Sequence, residues 1–277
     1  MLISIVEQGL MYAPMALGVY ITFKVVNILD LTIDGSFTLG AAISTIMILH
    51  GVNPFICLLV SGIGGALAGV ITGIIHVKFH VRDLLAGLIM MMALYSINIR
   101  IVGSSNVPLI GKNMIFSSLL INKTLFIVLT VLIIKWILDL YLKTKSGYLL
   151  KATGENENLV NNLAKNSGNV KILALAISNG LVALSGSIIC QEQRFFDISM
   201  GTGAMIAAFA TVVIGIELFK RARFIKTTTA VALGSICYKA AVALALYVGF
   251  RATDLRLMTA IIFFVVLVIS DQMRIKK

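Results

Sequence analysis

Apolar residues fall in long runs along this chain, and the polar residues between them come in short clusters. A helix needs about 20 mostly apolar residues to cross the hydrocarbon core of a bilayer. The pattern predicts nine helical spans, at about 5–23, 35–49, 54–77, 84–102, 124–142, 171–190, 203–219, 227–247 and 255–270. Two polar clusters break the runs. Asn27 to Ser36 reads NILDLTIDGS and carries Asp30, Thr32, Asp34 and Ser36. One reading is a cytoplasmic turn whose Asp34 or Ser36 caps the next helix. The other is a discontinuous membrane segment. Irregular backbone at membrane depth persists only where protein or water satisfies its amides, so such breaks often line a transport path. Phe195 to Met205 reads FFDISMGTGAM and carries Asp197, Ser199 and Thr202 among glycines. Both clusters run acid, hydroxyl, glycine, then apolar helix, which hints at an inverted repeat. The expected fold is all-α. It is a polytopic transmembrane bundle of about nine spans, broken near 27–36 and 195–203, in a single domain over 1–277.

Composition narrows the class. The chain is 59% hydrophobic and 13% charged, with a mean hydropathy of +1.00. A soluble domain carries about 25% charged residues. A soluble enzyme, a disordered chain and a disulfide-stapled secreted domain are all excluded. The net charge of +11 would suggest nucleic acid in a soluble protein, but here the positive-inside rule explains it and no nucleic-acid partner is expected. Fifteen Lys and Arg fall in alternate gaps, among them Lys24, Lys78, Lys151, Arg221 and Lys277, against five in the opposite gaps. That bias places the first set in the cytoplasm, with the N-terminus outside and the C-terminus inside. The first run has no basic stretch before it and no cleavage site after it, so it reads as a retained helix. Cys57, Cys190 and Cys237 have no metal-type spacing. The pair Gly111-Lys112 is followed by Asn113, so there is no P-loop and no cofactor of this chain's own.

Three further features bear on mechanism. The long cytoplasmic segment, 144–170, holds a polar stretch from Glu155 to Asn166 with Leu159, Val160, Leu163 and Ala164 on one narrow stripe. Gly154 and Gly168 read as its boundaries. Such a short helix lies on lipid, links two spans, or docks in a partner's groove. Gly65, Gly69 and Gly73, and Ala176, Gly180, Ala183 and Gly186, give small faces for close helix packing. Ionisable residues inside spans are Glu7, Lys135, Asp139, Glu217 and Lys239. Lys135 and Asp139 are placed to pair at i,i+4. Lys239 stands nearest mid-span, where a charge must face protein or water. No triad, zinc motif or catalytic carboxylate pair stands out, so the chain is not expected to be an enzyme.

The runs QGLMYAPMALGVYITFKVVNILDLTIDGSFTLGA, GGALAGVITGIIHVKFHVRDLLAGLIMMMALYSINIRI, GYLLKATGENENLVNNLAKNSGNVKILALAISNGLVALSGSI and MGTGAMIAAFATVVIG resemble the ABC-importer permeases for branched-chain amino acids and ribose. LLAGLIMMMALYSINIRI and ISMGTGAMIAAFATVVIGIE are most similar to a subgroup associated with tryptophan or tyrosine. QEQRFFD, 191–197, is more charged than the resemblance implies. The resemblance implies a permease subunit in the bacterial cell membrane, passing a small solute, an amino acid and possibly an aromatic one. It implies a second permease copy, a cytoplasmic ABC ATPase dimer that holds ATP and Mg, an extracytoplasmic solute-binding protein, and membrane lipid around the bundle. Glu155, Asn158, Leu159, Asn162 and Leu163 are then expected to couple to the ATPase. Asp30, Thr32, Asp34, Ser36, Ser199, Thr202 and Lys239 are expected to line the path or its gate. An ion-coupled secondary transporter and a scaffold subunit without a path remain as alternatives.

Overall fold

In hydrocarbon a backbone satisfies its amides only by intrahelical bonds or a closed sheet, so each apolar run here becomes a helix. A computed structural model describes residues 2–117, 122–162, 166–220, 222, 224–250 and 254–275. The helices are α1 (Leu2–Val19), which continues through a π-helical stretch, Tyr20–Val25, then α2 (Thr32–Leu49), α3 (Pro54–Lys78), α4 (Asp83–Val102) and α5 (Lys123–Tyr141). After these come α6 (Lys145–Glu155), α7 (Glu157–Asn162), α8 (Ser167–Gln193), α9 (Ala204–Phe219), α10 (Thr227–Tyr247) and α11 (Leu255–Ile275). Seven helical spans are long and apolar enough to cross a membrane; α9 and the apolar part of α11, Leu257–Val266, are shorter. The nine expected runs therefore all appear, two of them reduced. Two three-residue strands, β1 (Asn106–Pro108) and β2 (Phe195–Asp197), pair antiparallel with Val107 opposite Phe196. They tie the loop after α4 to the second break.

α2 and α8 are the most enclosed spans. Glycine makes that possible. A Cβ at Gly65 would lie 2.4 Å from the Asn179 oxygen, and one at Gly69 would lie 2.2 Å from the Leu175 oxygen. These contacts, continuing to Gly73 against Ile172, run α3 antiparallel to α8. On the other side, Gly40 of α2 meets the Ala183 oxygen and Gly186 of α8 meets the Phe37 oxygen. Such approach gains dispersion contact where lipid offers no hydrophobic driving force. Buried serines add bonds across the neighbouring α2–α3 and α1–α8 seams: Ser61 Oγ donates to the Gly40 oxygen at 3.0 Å, and Ser185 Oγ to the Met11 oxygen at 2.7 Å.

Two boundaries differ from the sequence expectation. α8 starts at Ser167, not 171, because Asn166 Oδ1 accepts from the Gly168 amide at 2.9 Å and caps it. The cytoplasmic segment forms two helices, where one was expected. Gly154 lies inside α6, and the break falls at Asn156, which is extended (φ −156°, ψ 95°). The signal misread there was glycine: Gly154 serves close packing and Gly168 sits in the first turn of α8.

Overpacking a tight seam costs about 1–3 kcal/mol. Gly69→Ala should therefore lower the detergent melting temperature clearly. Gly62→Ala, whose Cβ would meet only the flexible Leu184 side chain, should lower it little. Equal shifts for the two would contradict this packing.

Candidate functional site

The first break is shorter than its polar cluster. Non-helical chain runs from 26 to 31, and Asp34 and Ser36 already lie in α2. Neither caps that helix. Asp30 does, accepting from the Thr32 amide at 2.9 Å on Oδ1. Its other oxygen accepts from Asn179 Nδ2 at 2.7 Å. Asn179 is twelve residues into α8, about 18 Å along its axis, so Asp30 sits deep in the bundle and is only 1% exposed. The Thr32 and Thr72 hydroxyls are 2.9 Å apart, and the Leu29 amide donates to Asp83 Oδ2 at 3.1 Å. The cluster is thus a discontinuity buried in the bundle, with neither Asp34 nor Ser36 capping the helix that follows.

The second break enters from the other side and meets the first. Asp34 points across the bundle to α9: Oδ2 accepts from the Gly203 amide at 2.9 Å and Oδ1 from the Met205 amide at 2.8 Å. The Gly201 amide donates to Thr38 Oγ1 at 3.2 Å, and that hydroxyl donates to the Asp34 main-chain oxygen at 3.1 Å. A Cβ on Gly201 would lie 2.0 Å from the Asp34 oxygen, and Gly203 has φ +83°. Only glycine fits the first position without displacing backbone, and it is favoured at the second. With 16 residues, α9 is about 24 Å long, less than the roughly 30 Å hydrocarbon core. Its N-terminus starts inside the bundle, and a carboxylate supplies the cap that water would give elsewhere.

Two cavities flank this junction, and Asp34 and Thr202 line both. One, about 230 Å³, lies against Met91, Tyr95 and Asn98 of α4. The other, about 510 Å³, is bounded by Tyr12, Tyr238, Lys239 and Thr259. Lys239 Nζ lies 3.8 Å from the Tyr12 ring centroid. Asp34, Thr202 and Lys239 thus line one cavity. Asp30, Thr32 and Ser36 are buried beside the junction and line neither of these cavities. Ser199 lies outside them, in the turn after β2, where its amide and hydroxyl donate to Asp197. Those bonds hold the Asp197 carboxyl below its ordinary value. Sequence reasoning missed Thr38, Thr72, Asn98, Tyr12 and Asn179. A lone Asn in the middle of an apolar run was the one available signal.

The remaining predicted charges are structural. Lys135 and Asp139 pair at 3.1 Å. Lys123 bridges Glu7 and Glu192, and Gln191 bonds Ser44, Pro54 and Ile115, so the unexpectedly polar 191–197 stretch fixes the outer end of α8. In and beside α7, Glu155, Asn158 and Asn162 are exposed and Val160 is buried. Leu163 and Ala164 lie outside the described residues. Lys171 Nζ, 2.7 Å from Glu157, holds that carboxyl below its ordinary value and ties α7 to α8.

A family model described as the branched-chain amino acid transport system permease component matches residues 1–270. The chain belongs to this family. It is a multi-pass transmembrane permease subunit of an ABC importer, and membership implies an ATPase and a binding protein as partners. The chain is 44% identical over 261 residues to a tyrosine transport system permease protein of Clostridioides difficile, covering 94% of this chain and 88% of that one. It is 26% identical over 222 residues to the ribose import permease protein RbsC of Escherichia coli K12, covering 77% and 68%. The fold is similar to a solved structure of PsaBC from Streptococcus pneumoniae in complex with Fab, with a TM-score of 0.52 and 14% identity over 96% of this chain and 88% of that chain.

The permease junction predicts an order of stability. Asp34→Ala removes both acceptors from the start of α9, while Asp34→Asn keeps one. Loss of a cap costs about 0.5–2 kcal/mol in water, and a buried unpaired amide costs more. The melting temperature of the purified permease should fall in the order wild type, Asp34→Asn, Asp34→Ala. A wild-type value for Asp34→Ala would contradict the cap.

Proposed function

We propose that this subunit passes an aromatic amino acid, tyrosine among them, inward across the bacterial cell membrane. The observation that carries the reading is the 44% identity, along 94% of the chain, to a tyrosine transport system permease. The polar junction supports it, because it places hydroxyls, a carboxylate and a lysine deep in an apolar bundle. On this reading the chain is one permease domain. Two copies, alike or different, enclose the path within the lipid. An external binding protein delivers the solute, and a separate ATPase dimer binds ATP and Mg on the side of the Lys- and Arg-rich gaps, where the C-terminus also lies.

The route of coupling follows from one contact. Gly154 of α6 packs on the exit of α1 so closely that a Cβ there would lie 1.9 Å from the Val25 oxygen. Leu150 and Thr153 on α6 are buried. Asp30 stands five residues beyond Val25. Close-packed backbone transmits displacement with little compression. Movement of α6 and α7 by the ATPase would therefore shift the segment that holds Asp30, and packed helices respond by switching between discrete arrangements. The exposed Glu155, Asn158 and Asn162 form the docking face, with Leu159 and Leu163 of the same segment assigned to it.

Asn158→Trp with Asn162→Trp adds bulk at exposed positions, so the permease should still insert but lose ATPase co-purification. Unchanged co-purification would reject the docking role. Solute uptake by the permease alone under a proton or sodium gradient would replace this reading with ion-coupled transport.

A further inference from the structure

The larger cavity holds a cation that makes no ion pair among the described residues. Lys239 lies twelve residues from the start of α10 and eight from its end, about 18 and 12 Å along the axis, which puts it in the interior part of the span. Among the described residues no carboxylate lies within 4.0 Å of it. Asp34 lines the same cavity but lies beyond ion-pair distance of Lys239, its oxygens accepting from the Gly203 and Met205 amides. The ammonium instead rests on the face of Tyr12, a contact worth about 0.5–2 kcal/mol. Ionisable side chains at membrane depth normally pair with each other or with backbone carbonyls, and they mark substrate paths. The cavity therefore leaves the ammonium open to an anion from outside the chain.

We propose that Lys239 binds the carboxylate of the transported amino acid in the cavity between α1, α9, α10 and α11. The shape supports an organic carboxylate over a small inorganic anion. The cavity, about 510 Å³, falls in the range of small-molecule sites, roughly 300–1,000 Å³. Ile206 and Val242 give it an apolar wall. The hydroxyls of Tyr238 and Thr259, 3.0 Å apart, and that of Thr202 supply acceptors for the solute's ammonium. The Tyr12 ring, freed when Lys239 turns to the carboxylate, offers a face to an aromatic side chain. The aromatic part of this assignment rests on the reading in the preceding subsection; the carboxylate anchor does not.

The test uses the purified importer complex in liposomes and in detergent, with four probes. These are tyrosine, hydroxyphenylpropionate without the ammonium, tyramine without the carboxylate, and leucine. Tyrosine and hydroxyphenylpropionate should raise the melting temperature of the wild-type complex and tyramine should not. Lys239→Met should abolish that response and raise the half-saturating tyrosine concentration for uptake about tenfold or more, the worth of one charge-assisted hydrogen bond. Lys239→Arg should keep most of both. If only leucine responds, with the same dependence on Lys239, the anchor stands and the aromatic cargo is rejected. Stabilisation by tyramine equal to that by tyrosine, no response to any carboxylate, or a wild-type response in Lys239→Met would overturn the anchor. The wild-type probe series decides the matter even if Lys239→Met fails to insert.

Discussion

A helix that begins inside a bilayer leaves its first amides with no water to accept them, and each unmet group costs several kcal/mol in hydrocarbon. In this permease one side chain resolves that constraint. Asp34 belongs to the second helix, yet its carboxylate takes the Gly203 and Met205 amides of the ninth. Because of it, α9 can be short and the chain before it can dip toward the middle of the bundle. Because α9 starts there, the two cavities exist on either side of its N-terminus.

The same economy of partners runs through the rest of the junction. Asp30 caps its own helix and grips Asn179 of α8. Thr38 accepts from Gly201 and donates to the Asp34 backbone. The long-range links join the two breaks to each other and tie the first to α8, α3 and α4. The chain just before the first break also packs on α6, where a Cβ on Gly154 would lie 1.9 Å from the Val25 oxygen. On the proposed reading, a displacement of α6 would reach the first break through this contact.

Local properties of the chain were legible in the sequence. The nine runs, the broken segments and the glycine faces follow from hydropathy, charge bias and spacing. The Lys135–Asp139 pair was readable because helical geometry fixes i,i+4 neighbours. What could not be read was which polar group meets which. Asp34 and Met205 are 171 residues apart, and Asp30 and Asn179 are 149 apart. No periodicity encodes such pairs; they arise from helix packing. Local rules even pointed the wrong way, since Asp34 in a first turn reads as a cap for its own helix. Ser199 looked equivalent to Thr202 by composition, but β2 pairing holds it in the outer turn with Asp197.

The account turns on the two breaks meeting in the interior. A cryo-EM structure of the permease in lipid nanodiscs, at a resolution that shows side chains, measures this directly. It should show the Asp34 carboxylate within hydrogen-bond distance of the amides at the start of α9, level with the middle of α8. Asp34 at the cytoplasmic surface, with residues 199–203 on the outer face and a membrane's thickness between them, would contradict it.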